Sequence, residues 1–267
     1  MADGTERMAA AFAAAREDGR AALMPYMMGG FPDREASADI AAAYVDAGAD
    51  LIELGIPFSD PLADGPVIHA AATDALAAGA NLESVLAICS GISDRVPVVL
   101  MVYANMVLAG GGAEAFAAKA RDAGAAGAII PDLPVDEAND VRDALGAQGL
   151  AAVPLVAPTT PDERLRMICE VATGFVYVVS TVGTTGERDR VPEELEALVG
   201  RVKEAADVPA AVGFGIGTPA QAADVGRIAD GVIIGSRLVR LAREEGTDGV
   251  AAFLQETRDT LAGTPSG

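Results

Sequence analysis

Short apolar runs recur along the chain, each followed by an Ala-rich stretch whose apolar positions return at helical spacing, with Gly or Pro in most of the turns between. The runs predict strands near 23–28, 51–56, 97–102, 127–130, 151–156, 174–179, 209–213 and 231–234. Between and after them, amphipathic helices are predicted near 34–47, 66–78, 113–123, 135–147, 161–171, 192–206, 218–227 and 236–245. Further helices fit 5–17, 81–92 and 248–261: one at the N-terminus, one after the second barrel helix and one at the C-terminus. Strands that are apolar on nearly every position must be covered on both faces, which means a parallel sheet wrapped by helices. Eight strand–helix units in 267 residues favour an α/β fold closed as a (β/α)8 barrel over an open, doubly wound sheet. One domain over residues 1–267 is expected, with a short flexible tail at 263–267.

Composition sharpens this picture. Hydrophobic residues make up 51% of the chain, Trp is absent, and the core must therefore be built from Ala, Val, Ile and Leu. A formal net charge of −20 argues against nucleic acid and against anionic membranes, since both are bound by clustered Lys and Arg. It also means that a phosphorylated substrate would have to be captured by local backbone donors instead of long-range attraction. Cys89 and Cys169 lie in separate helical stretches without metal-ligand spacing and read as core thiols. The start of the chain lacks the basic and apolar segments of a secretion signal, and no apolar run, Val96 to Val102 among them, approaches the length of a membrane span. A cytoplasmic protein is expected, with no metal and no cofactor of its own.

The second strand carries the sharpest chemical signal. In the run Leu51 to Ile56, alternation puts Ile52, Leu54 and Ile56 on one face and Leu51, Glu53 and Gly55 on the other. The all-apolar face must meet the helices, so Glu53 points into the barrel. A carboxylate there has to be paired, protonated or functional. No Lys or Arg lies in any predicted strand core to pair with it, which favours catalysis. Tyr177, in phase with Phe175 and Val179 on the sixth strand, either hydrogen-bonds Glu53 or is an ordinary core tyrosine.

Barrel enzymes place their sites at the C-terminal ends of the strands. The loop Pro57 to Pro66 holds three more polar groups there: Ser59, Asp60 and Asp64. Asp64 reads either as a cap for the helix starting near Pro66 or as the second carboxylate of an acid–base pair with Glu53. Gly213, Gly215 and Gly217 follow the seventh strand, and Gly235-Ser236 follows the eighth. This is where barrels cradle phosphate with backbone N–H groups and a helix N-terminus. The stretch Thr181 to Arg190 suits a lid. His69, the only histidine, reads as a surface or boundary residue.

The segment Glu53 to Pro66 closely resembles the signature of the tryptophan synthase α subunit family. The resemblance continues through Pro25 to Pro32, Met101 to Asn105, Pro131 to Pro134, Ala157 to Thr160, Gly183 to Gly186, Gly213 to Ile216 and Gly235-Ser236. It spans about residues 5 to 262. It implies retro-aldol cleavage of indole-3-glycerol phosphate to indole and glyceraldehyde 3-phosphate. Glu53 would be the general acid–base, Asp64 the carboxylate on the indole N–H, and Tyr177 the tyrosine contacting the glutamate. Phe31, Met101, Pro131 and Phe214 would wall the indole, while Gly186, Gly213, Gly215, Gly235 and Ser236 would bind phosphate. Thr185 belongs to the implied lid, and Asp60, Pro61 and Asn105 to a surface for a β subunit. That partner would form an α2β2 assembly and carry the pyridoxal phosphate.

Thr181 stands where the family often has Arg, and Gly29-Gly30 and His69 are less usual. These departures leave the carboxylate pair intact but bear on lid closure and on communication with β. A stand-alone lyase and an inactive regulatory scaffold are the alternatives. Another phosphate-binding barrel is disfavoured, because Schiff-base aldolases need an inward lysine that is absent.

Overall fold

The computed structural model describes residues 3–179, 191–213 and 215–263. Its strands are β1 (Ala22–Met28), β2 (Ile52–Gly55), β3 (Val98–Met101), β4 (Gly127–Ile129), β5 (Ala151–Val153), β6 (Leu155–Val156), β7 (Val176–Val179), β8 (Ala210–Gly213) and β9 (Gly231–Ile234). The helices in the first half are α1 (Gly4–Glu17), α2 (Arg34–Asp46), α3 (Pro66–Ala77), α4 (Leu82–Ile92), α5 (Ala104–Leu108) and α6 (Gly112–Asp122). Those in the second are α7 (Asn139–Ala147), α8 (Asp162–Glu170), α9 (Glu193–Ala205), α10 (Pro219–Gly226), α11 (Ser236–Glu244) and α12 (Gly246–Ala262).

All pairings are parallel, in the order β5-β4-β3-β2-β1-β9-β8-β7-β6. The two ends of this order, β5 and β6, are consecutive in the chain, so the predicted fifth strand closes the barrel by serving both neighbours. Its split falls at Pro154, which has no N–H to give a ladder. The Pro154 carbonyl still accepts from the Tyr177 N–H at 2.9 Å, which keeps the seam joined. Two other details depart from the expected pattern. The short helix α5 follows β3, and the predicted helix from 135 begins as a 3-10 turn over Val135–Glu137 before α7.

The core has two layers. Outward strand side chains pack with the helices, and an inner cluster that includes Met24, Leu51, Val99, Ile129, Phe175 and Ile233 fills the barrel. α1 closes the N-terminal mouth by sending Met8 and Phe12 into that inner cluster. Its Arg7 guanidinium donates to the carbonyls of Gly124, Ser93 and Val96, which pins the helix across the barrel floor. At the same end Arg20 and Asp50 form a buried pair, with Asp50 also accepting from the Leu23 N–H at 2.7 Å. The closed floor leaves the C-terminal mouth as the place for chemistry. Cys89 and Cys169 are buried thiols, as expected. Among the described residues no single helix is long and apolar enough to cross a membrane.

Candidate active site

Glu53 does point into the barrel. It is 2% exposed, and neither carboxyl oxygen has a hydrogen-bond partner among the described residues. Burial, reinforced by the nearby Asp64 charge, pushes its pKa up to about 8. The reason is desolvation: an ion in this apolar shaft has lost its water and gained no donor. At neutral pH Glu53 is therefore a neutral acid with a proton to give.

Glu53 lines a cavity of about 270 Å3 at the C-terminal mouth. Tyr26, Asp64, Met101, Tyr177, Gly213, Gly215, Gly235 and Ser236 line it, together with Ala63, Gly65, Ile68, Val179 and Ile233. Six residues expected at the site besides Glu53 and Asp64 thus converge here: Met101, Tyr177, Gly213, Gly215, Gly235 and Ser236.

Asp64 is not a helix cap. Gly65 takes the N-cap position of α3, with Pro66 as its first residue and no side-chain cap bond. The Asp64 carboxylate instead receives the Tyr103 hydroxyl. Burial raises the Asp64 pKa, while that hydrogen bond and the neighbouring His69 pull it back. The two carboxyl groups therefore sit in different settings, one dry and unpartnered, the other hydrogen-bonded at the rim. His69 itself is exposed.

Tyr103 also accepts from the Ala63 N–H at 3.1 Å and stacks on Phe58 with ring centroids 5.2 Å apart. It ties the β2–α3 loop to the end of β3 and so sets where Asp64 stands. Neither Tyr26 nor Tyr103 was expected at the site. Tyr103 lies inside the Met101 to Asn105 segment, whose only polar cue besides Asn105 is this phenol. Tyr26 is embedded in a strand buried at every position.

Tyr177 shares the cavity with Glu53 but makes no hydrogen bond to it in this structure. A Cβ on Gly213 would lie 2.5 Å from the Tyr177 hydroxyl oxygen, so Gly213 makes room for the phenol as well as lining the cavity. Gly235, also in the cavity lining, is the N-cap of α11 and has no side-chain cap bond, which leaves the first-turn N–H groups without a capping side chain. None of the described residues lining the cavity carries a positive charge.

Phe31 and Pro131 do not line this cavity. Phe31 is buried among Met27, Met28, Ile40, Tyr44 and Val239, with the Arg243 guanidinium 5.0 Å from its ring centroid. Pro131 borders a separate, mainly apolar cavity of about 280 Å3 reached by α7 and α8. The arginines there are engaged, Arg142 with the Val135 carbonyl and Asn139, Arg164 with Asp136. Asp60 and Asn105 are exposed and Pro61 is half-buried, outside the cavity. Phe214, Thr185, Gly186 and the rest of the expected lid, including Thr181, lie outside the described residues, as does nearly all of the expected tail. Among the described residues no group of three or more His, Cys, Asp or Glu is placed to hold a metal.

The tryptophan synthase alpha chain family model matches residues 12–262. The tryptophan synthase alpha chain of Carboxydothermus hydrogenoformans is 47% identical over 88% of this chain and 88% of its own. That of Acidiphilium cryptum is 45% identical over 96% and 95%. Among solved structures, tryptophan synthase from Mycobacterium tuberculosis superposes with a TM-score of 0.90 at 41% identity, covering 96% of this chain and 98% of that one. The alpha subunit from Legionella pneumophila gives 0.88 at 34% identity, covering 98% and 100%. With its paired carboxylates at the mouth of the barrel, this chain belongs to the tryptophan synthase alpha chain family, whose members are lyases that cleave indole-3-glycerol phosphate.

Proposed function

We propose that Glu53 and Asp64 divide the cleavage of indole-3-glycerol phosphate between them, and that the buried, protonated Glu53 carries this reading. Cleavage needs indole to leave as a neutral molecule, so C3 of the ring must first take a proton. Glu53, holding its proton at neutral pH, donates it. The ring then carries positive charge at its nitrogen, and Asp64 stabilises it by accepting the indole N–H. Glu53, now ionised, removes the proton of the glycerol hydroxyl beside the scissile bond. The carbon–carbon bond breaks, its electrons return to the ring, and the new carbonyl leaves as glyceraldehyde 3-phosphate. Glu53 ends as it began, protonated.

Gly213, Gly215, Gly235 and Ser236 are assigned to the phosphate, which is held by backbone N–H groups and the α11 N-terminus, since the described residues of the cavity offer no cation. Gly186 and Thr185 complete the phosphate site and lid in this reading, with Phe214 beside the indole. The chain works without a cofactor of its own, and pyridoxal phosphate belongs to a β subunit that takes up the indole in an α2β2 assembly in the cytoplasm. Two exposed apolar residues support a partner at this mouth: Leu62 (88% exposed) adjoins Asp60-Pro61, and Leu108 (56% exposed) follows Asn105.

The test is indole release from indole-3-glycerol phosphate, with and without a tryptophan synthase β subunit. Slow turnover that rises strongly with β is expected. Full turnover alone would favour the stand-alone lyase, and none in either mixture would overturn the enzyme reading.

Tyr103→Phe checks the positioning of Asp64. It removes the phenol that holds the carboxylate and the Ala63 N–H, and one lost hydrogen bond of this kind costs about 1 kcal/mol. Turnover should fall roughly three- to tenfold. An unchanged rate would mean that the loop holds Asp64 without it.

A further inference from the structure

Glu53 has to exist as an ion for part of its cycle, and among the described residues that ion has no donor. The parallel register of β1 and β2 sets Tyr26 directly beside Glu53, with the two side chains on the same inward face. Tyr26 is 5% exposed, and among the described residues its hydroxyl has only the Met28 thioether as partner, at 4.0 Å. A thioether is a weak acceptor. The phenol oxygen fills the space above Gly55, where a Cβ would stand 2.3 Å from it, so a side chain at Gly55 would evict it. A buried donor with a poor acceptor thus adjoins a buried acid with none. Tyr177, by contrast, reaches the cavity from β7, and β8, β9 and β1 separate that strand from β2.

We infer that Tyr26 is a positioning residue: whenever Glu53 is ionised its carboxylate swings toward Tyr26, whose hydroxyl turns from Met28 to donate to it, stabilising the proton-accepting half of the cycle. The inference rests on the lyase reading of the site. The ionisable groups around Glu53 are Tyr26 from β1, Asp64 from the β2–α3 loop and Tyr177 from β7, with Tyr103 at the end of β3 acting on Asp64. The described residues that β8 and β9 and their loops contribute to the cavity carry no charge. Burial holds the Tyr26 phenol well above its ordinary pKa, so it stays protonated and remains a donor throughout the range in which Glu53 titrates.

The experiment compares the wild type with Tyr26→Phe and Tyr177→Phe. The carboxyl stretch of Glu53 is followed by infrared difference spectroscopy against Glu53→Gln as the pH is raised, and kcat and KM are measured in parallel. Phenylalanine keeps the ring, so the fold should hold. Without its donor, Glu53 in Tyr26→Phe should titrate about one unit or more higher, because a hydrogen bond to a charged group is worth roughly a tenfold factor or more. Its kcat should fall about tenfold or more, with KM changed by less than about threefold. An unmoved Glu53 titration in Tyr26→Phe would overturn the inference, as would a shift confined to Tyr177→Phe. The spectroscopic readout needs no turnover. A shifted titration in a protein that releases no indole would uphold Tyr26 and reject the lyase reading, whereas active protein with an unshifted titration would do the reverse.

Discussion

Glu53→Gln should lower kcat for indole release by about 10²- to 10⁴-fold, the range lost when a positioned general acid–base is removed. The amide fills the same space and keeps its polarity, but it can neither give a proton to C3 nor take one from the glycerol hydroxyl. KM should change little, because the residues proposed for the phosphate, Gly213, Gly215, Gly235 and Ser236, do not include Glu53. The same substitution should make the protein more stable at alkaline pH. In the folded protein the Glu53 pKa is about 8, against an ordinary value of 4.5, so the native state keeps a proton that the unfolded chain releases. Where the native state binds more protons, stability falls as pH rises. The wild type should therefore lose stability between about pH 4.5 and pH 8, and Gln should abolish that part of the slope. Above pH 8 the variant should be the more stable by on the order of a few kcal/mol. Denaturant unfolding at pH 5 and pH 8.5 reads this directly. Equal slopes in the two proteins would show that Glu53 is solvated or paired in solution, and the neutral-acid role would go with it.

The opposite signs expected for these two effects explain why Glu53 is the most legible candidate site residue. A carboxyl group between Ile52 and Leu54 on a strand of otherwise apolar residues breaks the pattern that makes the strand, and the broken pattern marks the site. The barrel was legible for a related reason, since a parallel sheet covered on both faces needs apolar runs of strand length separated by helical periods. The same uniformity hid Tyr26. In a strand buried at all of its positions, a tyrosine reads as one more large core residue, and only the β1–β2 register reveals that it stands beside Glu53. Pro154 carried a signal in plain view, but its consequence, one strand dividing its pairing between two neighbours, depends on how the barrel closes. Phe31 is placed at the indole by the resemblance alone. Its ring lies beyond the end of β1, packed with Val239 and under the Arg243 guanidinium. Asp64 had two readings until Gly65 proved to be the cap of α3, which frees the carboxylate for the cavity.

Asp64→Asn is the sharper test of how the pair is divided. Asparagine is nearly isosteric and its carbonyl can still accept the Tyr103 hydroxyl, so the loop should stay in place. What disappears is the negative charge facing the indole nitrogen when C3 takes its proton. Preorganised charge at such a position contributes on the order of 10²-fold or more, and turnover should fall by at least that much. The substitution should also act on Glu53. The Asp64 charge is the second cause, after burial, of the raised Glu53 pKa, and its removal should lower that pKa. The alkaline limb of the pH–rate profile, which reports loss of the acid form of Glu53, should therefore move to lower pH in the residual activity. A fall in rate together with this shift identifies two carboxyl groups acting in one field. A fall without the shift would leave Asp64 as a binding group remote from Glu53, and an unchanged rate would remove it from the reaction.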